Sequence, residues 1–312
     1  MSSDHSESDK SLLNISIERR WSNGRTLMNL GLTIVTGGIA LVACLPLASL
    51  LYMLVRRGAS AISLNSFTQL PPAPMQEGGG FGNAIVGTLT MVLIGAILSI
   101  PVGVLSAIYL SILGPDSKTA TLVRLTAKIL SGLPSILAGV FAYTLVVVTM
   151  RTYSAPAGGV ALAVLMVPIV ILTSEEAFRM VPKKMIEAAI GMGCTPTQAV
   201  WKVILPTAFP SLLTGVMLAV ARAAGETAPL LFTALFSNYW ILQDSRLSLM
   251  EPTASLAVLI YNFSGSPFDN QVEMAWGAAL VLVVLILVLN LIAQFMSRTQ
   301  IRGQANYDCR DN

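Results

Sequence analysis

Arg222 and Glu226 are the only charged residues in the stretch Val203–Gln243. An ionisable side chain at the bilayer centre costs about 2.5–3.5 kcal/mol, so it is turned toward a partner or a water-filled path. Four residues apart, the two share one face of a helix. Counted from Pro210 at about 1.5 Å per residue, Arg222 lies roughly 18 Å along the axis, near the middle of a ~30 Å hydrocarbon core. Pro229 has no N–H to offer the carbonyl of Gly225, and Thr227 adds a hydroxyl. Arg222, Gly225, Glu226 and Thr227 thus form a polar patch at membrane depth, suited to moving something polar. Arginine stays protonated, and its planar fork presents several donors to an oxyanion. Glu226 cannot receive an anion directly, but it can hold Arg222 in place between substrates. The plainer alternative is an ion pair that only fixes helix packing.

The elements that carry this patch are apolar and long. Apolar residues make up 54% of the 312-residue chain and charged residues 11%. Six charge-poor segments can each supply the ~20 apolar residues of a span: Thr26–Val55, Gly78–Pro115, Ile129–Met150, Thr152–Ser174, Val203–Gln243 and Met274–Ser297. The fold class expected is an all-α polytopic membrane protein with six transmembrane helices. With the N-terminus inside, fourteen Lys and Arg fall in cytoplasmic segments and four outside, which fixes both termini in the cytoplasm. Arg56–Arg57 is the one local dissent. The net charge of +3 mostly records this bias and gives no sign of a nucleic-acid partner.

Residues 1–25 read as a cytoplasmic tail, 26–298 as the membrane-embedded domain and 299–312 as a second cytoplasmic tail. The first apolar segment is too long for a signal-peptide core and is read as an uncleaved span. Between Asp244 and Glu273 the run ASLAVLIYNF is too short to cross the bilayer. It suits a buried external helix or a lid.

Several chemistries are excluded. The only histidine is His5, and the cysteines at 44, 194 and 309 have no metal or disulfide spacing. Neither a metal site nor a cofactor site is expected. There is no GxxxxGK[ST], nor any nucleophile–base set. The chain is therefore expected not to be an enzyme, and ATP-driven movement would need a separate ATPase. Glu175 and Glu176 lie where the fourth span leaves the membrane. Thr173 with Glu176 is read as a capping box or a solvated surface rather than a substrate contact.

The cytoplasmic connection over 179–210 is built as an elbow. Met185, Ala188, Ala189 and Met192 give one apolar helical face, ended by Gly191 and Gly193. Thr195, Pro196 and Gln198 make a capping box that starts a second short helix. Pro206 and Pro210 are expected to close that helix and open the fifth span. Small residues mark the exposed corner, where another protein can come close. The alternative is a structured loop packed on the chain's own helices.

Glu187-Ala188-Ala189, three residues, Gly193, nine residues, Val203, one residue, then Leu205-Pro206 resembles the EAA loop of ABC importer permeases. Val203 replaces the usual Ile. SGLPSILAGVFAY and ARAAGETAPLLF look like the phosphate-specific members of that family, closest to the A-type subunit. The resemblance covers about residues 78–300. It implies a type I ABC importer permease fold in the bacterial inner membrane, with Glu187, Ala188, Ala189, Gly193, Leu205 and Pro206 contacting the ATPase. It also implies a homologous C-type permease, two copies of an ATPase subunit, a periplasmic phosphate-binding protein and membrane lipid as partners. Phosphonate, sulfate or molybdate remain alternative substrates, and a secondary anion carrier using Glu226 as a proton site is a further alternative.

Overall fold

The computed structural model describes residues 24–76, 78–243 and 246–308. Most of the expected N-terminal tail lies outside them. The chain divides into two units, Met1–Met53 and Leu54–Asn312. Helix α1 (Gly24–Ala61) begins in the first. Its side chains from Met28 to Met53 are exposed, as a lipid-facing span requires.

In the second unit the order is helical almost throughout. Helix α2 (Gly82–Ile108) is prolonged by a π turn, Tyr109–Leu113. Helix α3 is Lys118–Ser131 and α4 is Ser135–Met150. Helix α5 (Ala155–Arg179) follows, then the elbow helix α6 (Lys183–Gly191). Helix α7 runs Pro196–Ala224 and α8 is the short Ala228–Thr233. A two-residue hairpin pairs Leu242 with Leu247 and Gln243 with Arg246. Helices α9 (Leu256–Ser264) and α10 (Asp269–Asp308) complete the chain. Among the described residues five helices are long and apolar enough to cross a membrane, and six if the bent pair α3–α4 counts as one span.

Helices α2 and α5 form the centre. A Cβ on Gly103 would lie 2.5 Å from Val170 Cγ1, so the two backbones approach as closely as glycine allows. Around them Met91, Leu162, Met166, Val216, Ala219, Ala223 and Leu230 form one buried cluster. The run ASLAVLIYNF is a buried helix: Leu256, Ala257, Val258 and Leu259 are all enclosed. Ser255 caps it, accepting from the Val258 N–H at 3.2 Å. Arg57, out of place by the charge rule, stands over the Trp276 ring at 5.5 Å, a cation–π contact that holds the cation at its helix end.

Three expectations are corrected. The third span is not one rod: α3 and α4 meet at 104° across Gly132–Pro134. The residue before a proline is pushed out of the helical region, and Gly132 weakens the turn further. Lys118, Arg124 and Lys128 sit on helix α3. Second, Pro206 and Pro210 do not interrupt α7. A π turn, Val200–Ile204, closes with Leu205 N–H on Val200 O, and this wider turn accommodates the proline that follows it. Third, Thr173 and Glu176 form no cap. They lie inside α5, where the Thr173 hydroxyl donates back to Ile169 O at 2.8 Å. On the elbow's apolar face Ala189 is enclosed, while Met185, Ala188 and Met192 are exposed; Ile186 beside it packs inward. The last helix also continues beyond residue 298 to Asp308.

Candidate functional site

Helix α7 stops at Ala224, two residues before Glu226. Arg222 and Glu226 therefore do not share a helix face. Arg222 sits in the last turn, and Glu226 lies in the non-helical link to α8. The link is short because both sides satisfy its backbone. Gly225 N–H donates to Arg222 O and Glu226 N–H to Ala223 O, each at 3.2 Å, while Thr227 O accepts from Leu230 and Leu231. Breaks of this kind are tolerated at membrane depth only where protein or a water-filled cavity receives the freed backbone groups.

Arg222 Nε stands 3.8 Å from Glu226 Oε1, with side-chain exposures of 55% and 18%. That is an ion pair without a hydrogen bond. Among the described residues the guanidinium donates to no acceptor, so its fork stays open toward the chain's surface. Thr227 is half-buried and Gly225 exposed. The sequence-predicted patch is therefore brought together, but as a loose edge rather than a closed pocket.

The link is positioned by the broken third span. A Cβ on Gly139 of α4 would lie 2.6 Å from Pro229 Cα, so α8 rests directly on that helix. The Thr233 hydroxyl donates to Pro229 O at 2.8 Å, and Thr233 O accepts from Ser154 N–H at 3.1 Å. Both helix breaks, Gly132–Pro134 and Gly225–Thr227, thus precede two half-helices packed on each other. A separate cavity of about 410 Å³ is lined by Asn83, Phe236, Ser237, Trp240, Glu251 and neighbours, without Arg222 or Glu226. Asn83 is buried there, donating to Ser237 O and Tyr239 O.

At the elbow Glu187, Ala188, Gly193 and Pro206 are exposed, Leu205 is half-buried and Ala189 is enclosed. Gly193 has φ of +90° and a Cβ there would meet nothing within 4 Å. Only glycine adopts this conformation without strain, and the space beside it is open. Thr195 and Gln198 form the expected capping box, at 3.3 and 3.0 Å. Met180, Met192 and Trp201 add exposed apolar surface nearby.

One group was missed. Glu175, read as a cap or surface residue, is buried, and its Oε1 accepts from Arg124 Nε and Arg179 Nη2, both at 2.6 Å. The Glu175–Arg179 spacing of four was visible in the sequence. Arg124 lies 51 residues away and gave no such signal.

A nearly all-helical chain with several apolar spans, one of them broken, and an exposed elbow is the architecture expected of the membrane component of a transporter. The family described as "Binding-protein-dependent transport system inner membrane component" matches residues 99–302, and the chain belongs to it. It is therefore a multi-pass inner-membrane protein. Among its relatives, the phosphate transport system permease protein PstA of Yersinia pestis is 39% identical over 78% of this chain and 81% of its own. The probable phosphate transport system permease protein PstA of Methanocaldococcus jannaschii is 36% identical over 82% of this chain and 88% of its own. A chain of the MetNI methionine ABC transporter superposes with a TM-score of 0.55 at 23% identity, covering 70% of this chain and 93% of that one. The fold is accordingly that of ABC importer permeases.

Proposed function

We propose that this chain is the A-type permease subunit of an ATP-driven importer of inorganic phosphate. The observation that supports it most directly is the half-exposed Arg222 with an open donor fork at a helix break. An oxyanion crossing apolar surroundings needs such a group to replace its water. The names of the relatives, at 36–39% identity over most of both chains, point to phosphate as that oxyanion. Because Arg222 lies at the chain's edge, a second, homologous C-type permease completes the path. Glu187, Ala188, Ala189, Gly193, Leu205 and Pro206 meet the ATPase, of which the assembly holds two copies. The subunit itself hydrolyses nothing. A periplasmic phosphate-binding protein delivers the substrate, and both termini face the cytoplasm.

The test is uptake of labelled phosphate by vesicles carrying the complete transporter, with sulfate, molybdate and a phosphonate as competitors. Phosphate uptake that only unlabelled phosphate suppresses is expected. Stronger suppression by another oxyanion reassigns the substrate. In the same vesicles Gly193→Trp is expected to separate ATP hydrolysis from uptake, since the added ring occupies space that only a docked partner would use.

A further inference from the structure

Glu175 lies outside the Arg222 site, yet more charged donors converge on it than on any other carboxylate among the described residues. One of its oxygens receives two guanidinium donors at 2.6 Å, with 6% of the side chain exposed. Arg124 also donates to backbone: Nη1 to Pro115 O at 2.9 Å and Nη2 to Leu110 O at 2.6 Å. A single guanidinium thereby ties α3 to the end of α2 and to α5. Those are the places where force from the elbow would arrive. Ile186 of the elbow helix packs against a buried cluster that includes Ala107, Ile108, Ala177 and Phe178, at the same ends of α2 and α5. On the far side, α3 leads through the 104° break into α4, and Gly139 of α4 carries Pro229 beside the Arg222 link.

We propose that Glu175, through Arg124, is a positioning residue for transport: a strut that passes movement of the elbow into the broken third span and so to the Arg222 link. This rests on the proposed ATP-driven mechanism. Apolar contact alone between α3 and α5, through Val123, Ala127, Val167 and Ile171, would let the helices slide. A charged network of directional hydrogen bonds has fewer alternative arrangements and holds its members in register. Coupling of this sort needs a contiguous set of contacts and an element with two positions, and the hinge at Gly132–Pro134 supplies that element. Arg179 contributes less, because its side chain is 57% exposed and water replaces its bond readily.

The experiment uses the complete transporter in lipid vesicles, with Cys44, Cys194 and Cys309 replaced by Ser. Leu137→Cys, on the exposed face of α4, reports the third span by its labelling rate with and without trapped nucleotide. A nucleotide-driven change in labelling is expected in the otherwise wild-type protein and is lost in Glu175→Gln. Uptake per ATP hydrolysed falls about tenfold in Glu175→Gln, inside the usual range of a coupling free energy. Arg124→Lys keeps the charge but cannot reach three acceptors, and is expected to fall between. Arg179→Gln stays within about twofold, as an exposed pair should. A purely structural Glu175 would lower the amount of assembled complex while leaving uptake per ATP and the labelling change intact, and that result overturns the strut. Should Glu175→Gln fail to assemble with the ATPase, Arg124→Lys decides by the same two readouts. Absence of any nucleotide effect on Leu137→Cys in the parent protein also overturns it. The labelling change needs no phosphate, so a wrong substrate would leave this test standing while the uptake competition fails.

Discussion

At Glu175 one carboxylate oxygen takes two guanidinium donors at 2.6 Å with 6% of the side chain exposed, whereas Glu226 stands 3.8 Å from an Arg222 that is 55% exposed. The residue types are the same, and each grouping contains an Arg–Glu pair four apart. The difference lies in what the helices around them do. Helix α5 continues through Glu175 and Arg179, and α3 brings a third partner, so one carboxylate oxygen is bonded by two guanidinium groups. Helix α7 ends between Arg222 and Glu226, and among the described residues the guanidinium has no partner beyond that loose ion pair. A charge set bonded across several helix ends fixes the positions of those helices. The guanidinium of Arg222 keeps donors available, as the anion-binding role proposed for it requires.

The comparison is tested most severely by removing one carboxylate from each grouping. Glu175→Ala leaves the half-buried Arg124 without its counter-charge and is expected to destabilise the purified complex by about 3 kcal/mol, toward the low end for buried pairs. Glu226→Ala is expected to cost no more than about 1 kcal/mol, as for solvent-accessible pairs. Thermal unfolding of both variants gives the contrast; equal losses would erase it.

The next largest effect falls on activity. Arg222→Ala should reduce phosphate uptake by roughly 10–100-fold, the loss of about 1.5–3 kcal/mol that a hydrogen bond to a charged group supplies, while membrane levels hold. Arg222→Lys should recover only a minor part, because the planar fork is gone. Exchanging the pair, Arg222→Glu with Glu226→Arg, should stay inactive; wild-type uptake in that protein would leave Arg222 and Glu226 as packing alone.

Gly139→Val probes the contact that joins the two half-helices. Its Cβ would lie 2.6 Å from Pro229 Cα, and overpacking of this kind costs about 1–3 kcal/mol. Lower uptake with little change in Glu175-dependent stability would separate the two groupings further. The smallest effect is expected at Gly225→Ala. Gly225 has φ of −93°, and the nearest atoms to an added Cβ are 3.7 Å away. Its stability should stay within about 0.5 kcal/mol of wild type, with uptake unchanged. A large loss of uptake there would mean that substrate or a partner backbone needs the bare glycine.

The sequence by itself determined the apolar spans, the Thr195–Gln198 capping box, the spaced motif from Glu187 to Pro206 and the nearness of Arg222 to Glu226. Each of these is local: hydrophobic runs, caps and four-residue spacings are set by neighbours along the chain. Only the tertiary structure decided that α3 and α4 meet at 104°, that α7 passes unbroken through Pro206 and Pro210, and that it ends at Ala224 instead of carrying Glu226. A proline or glycine allows a break without requiring one, and the packing of α8 on Gly139 and the π turn before Leu205 settle which occurs. Arg124 with Glu175 is the extreme case. Its partners are 51 residues apart, and no local pattern encodes which of several cytoplasmic cations the fold carries to a buried carboxylate.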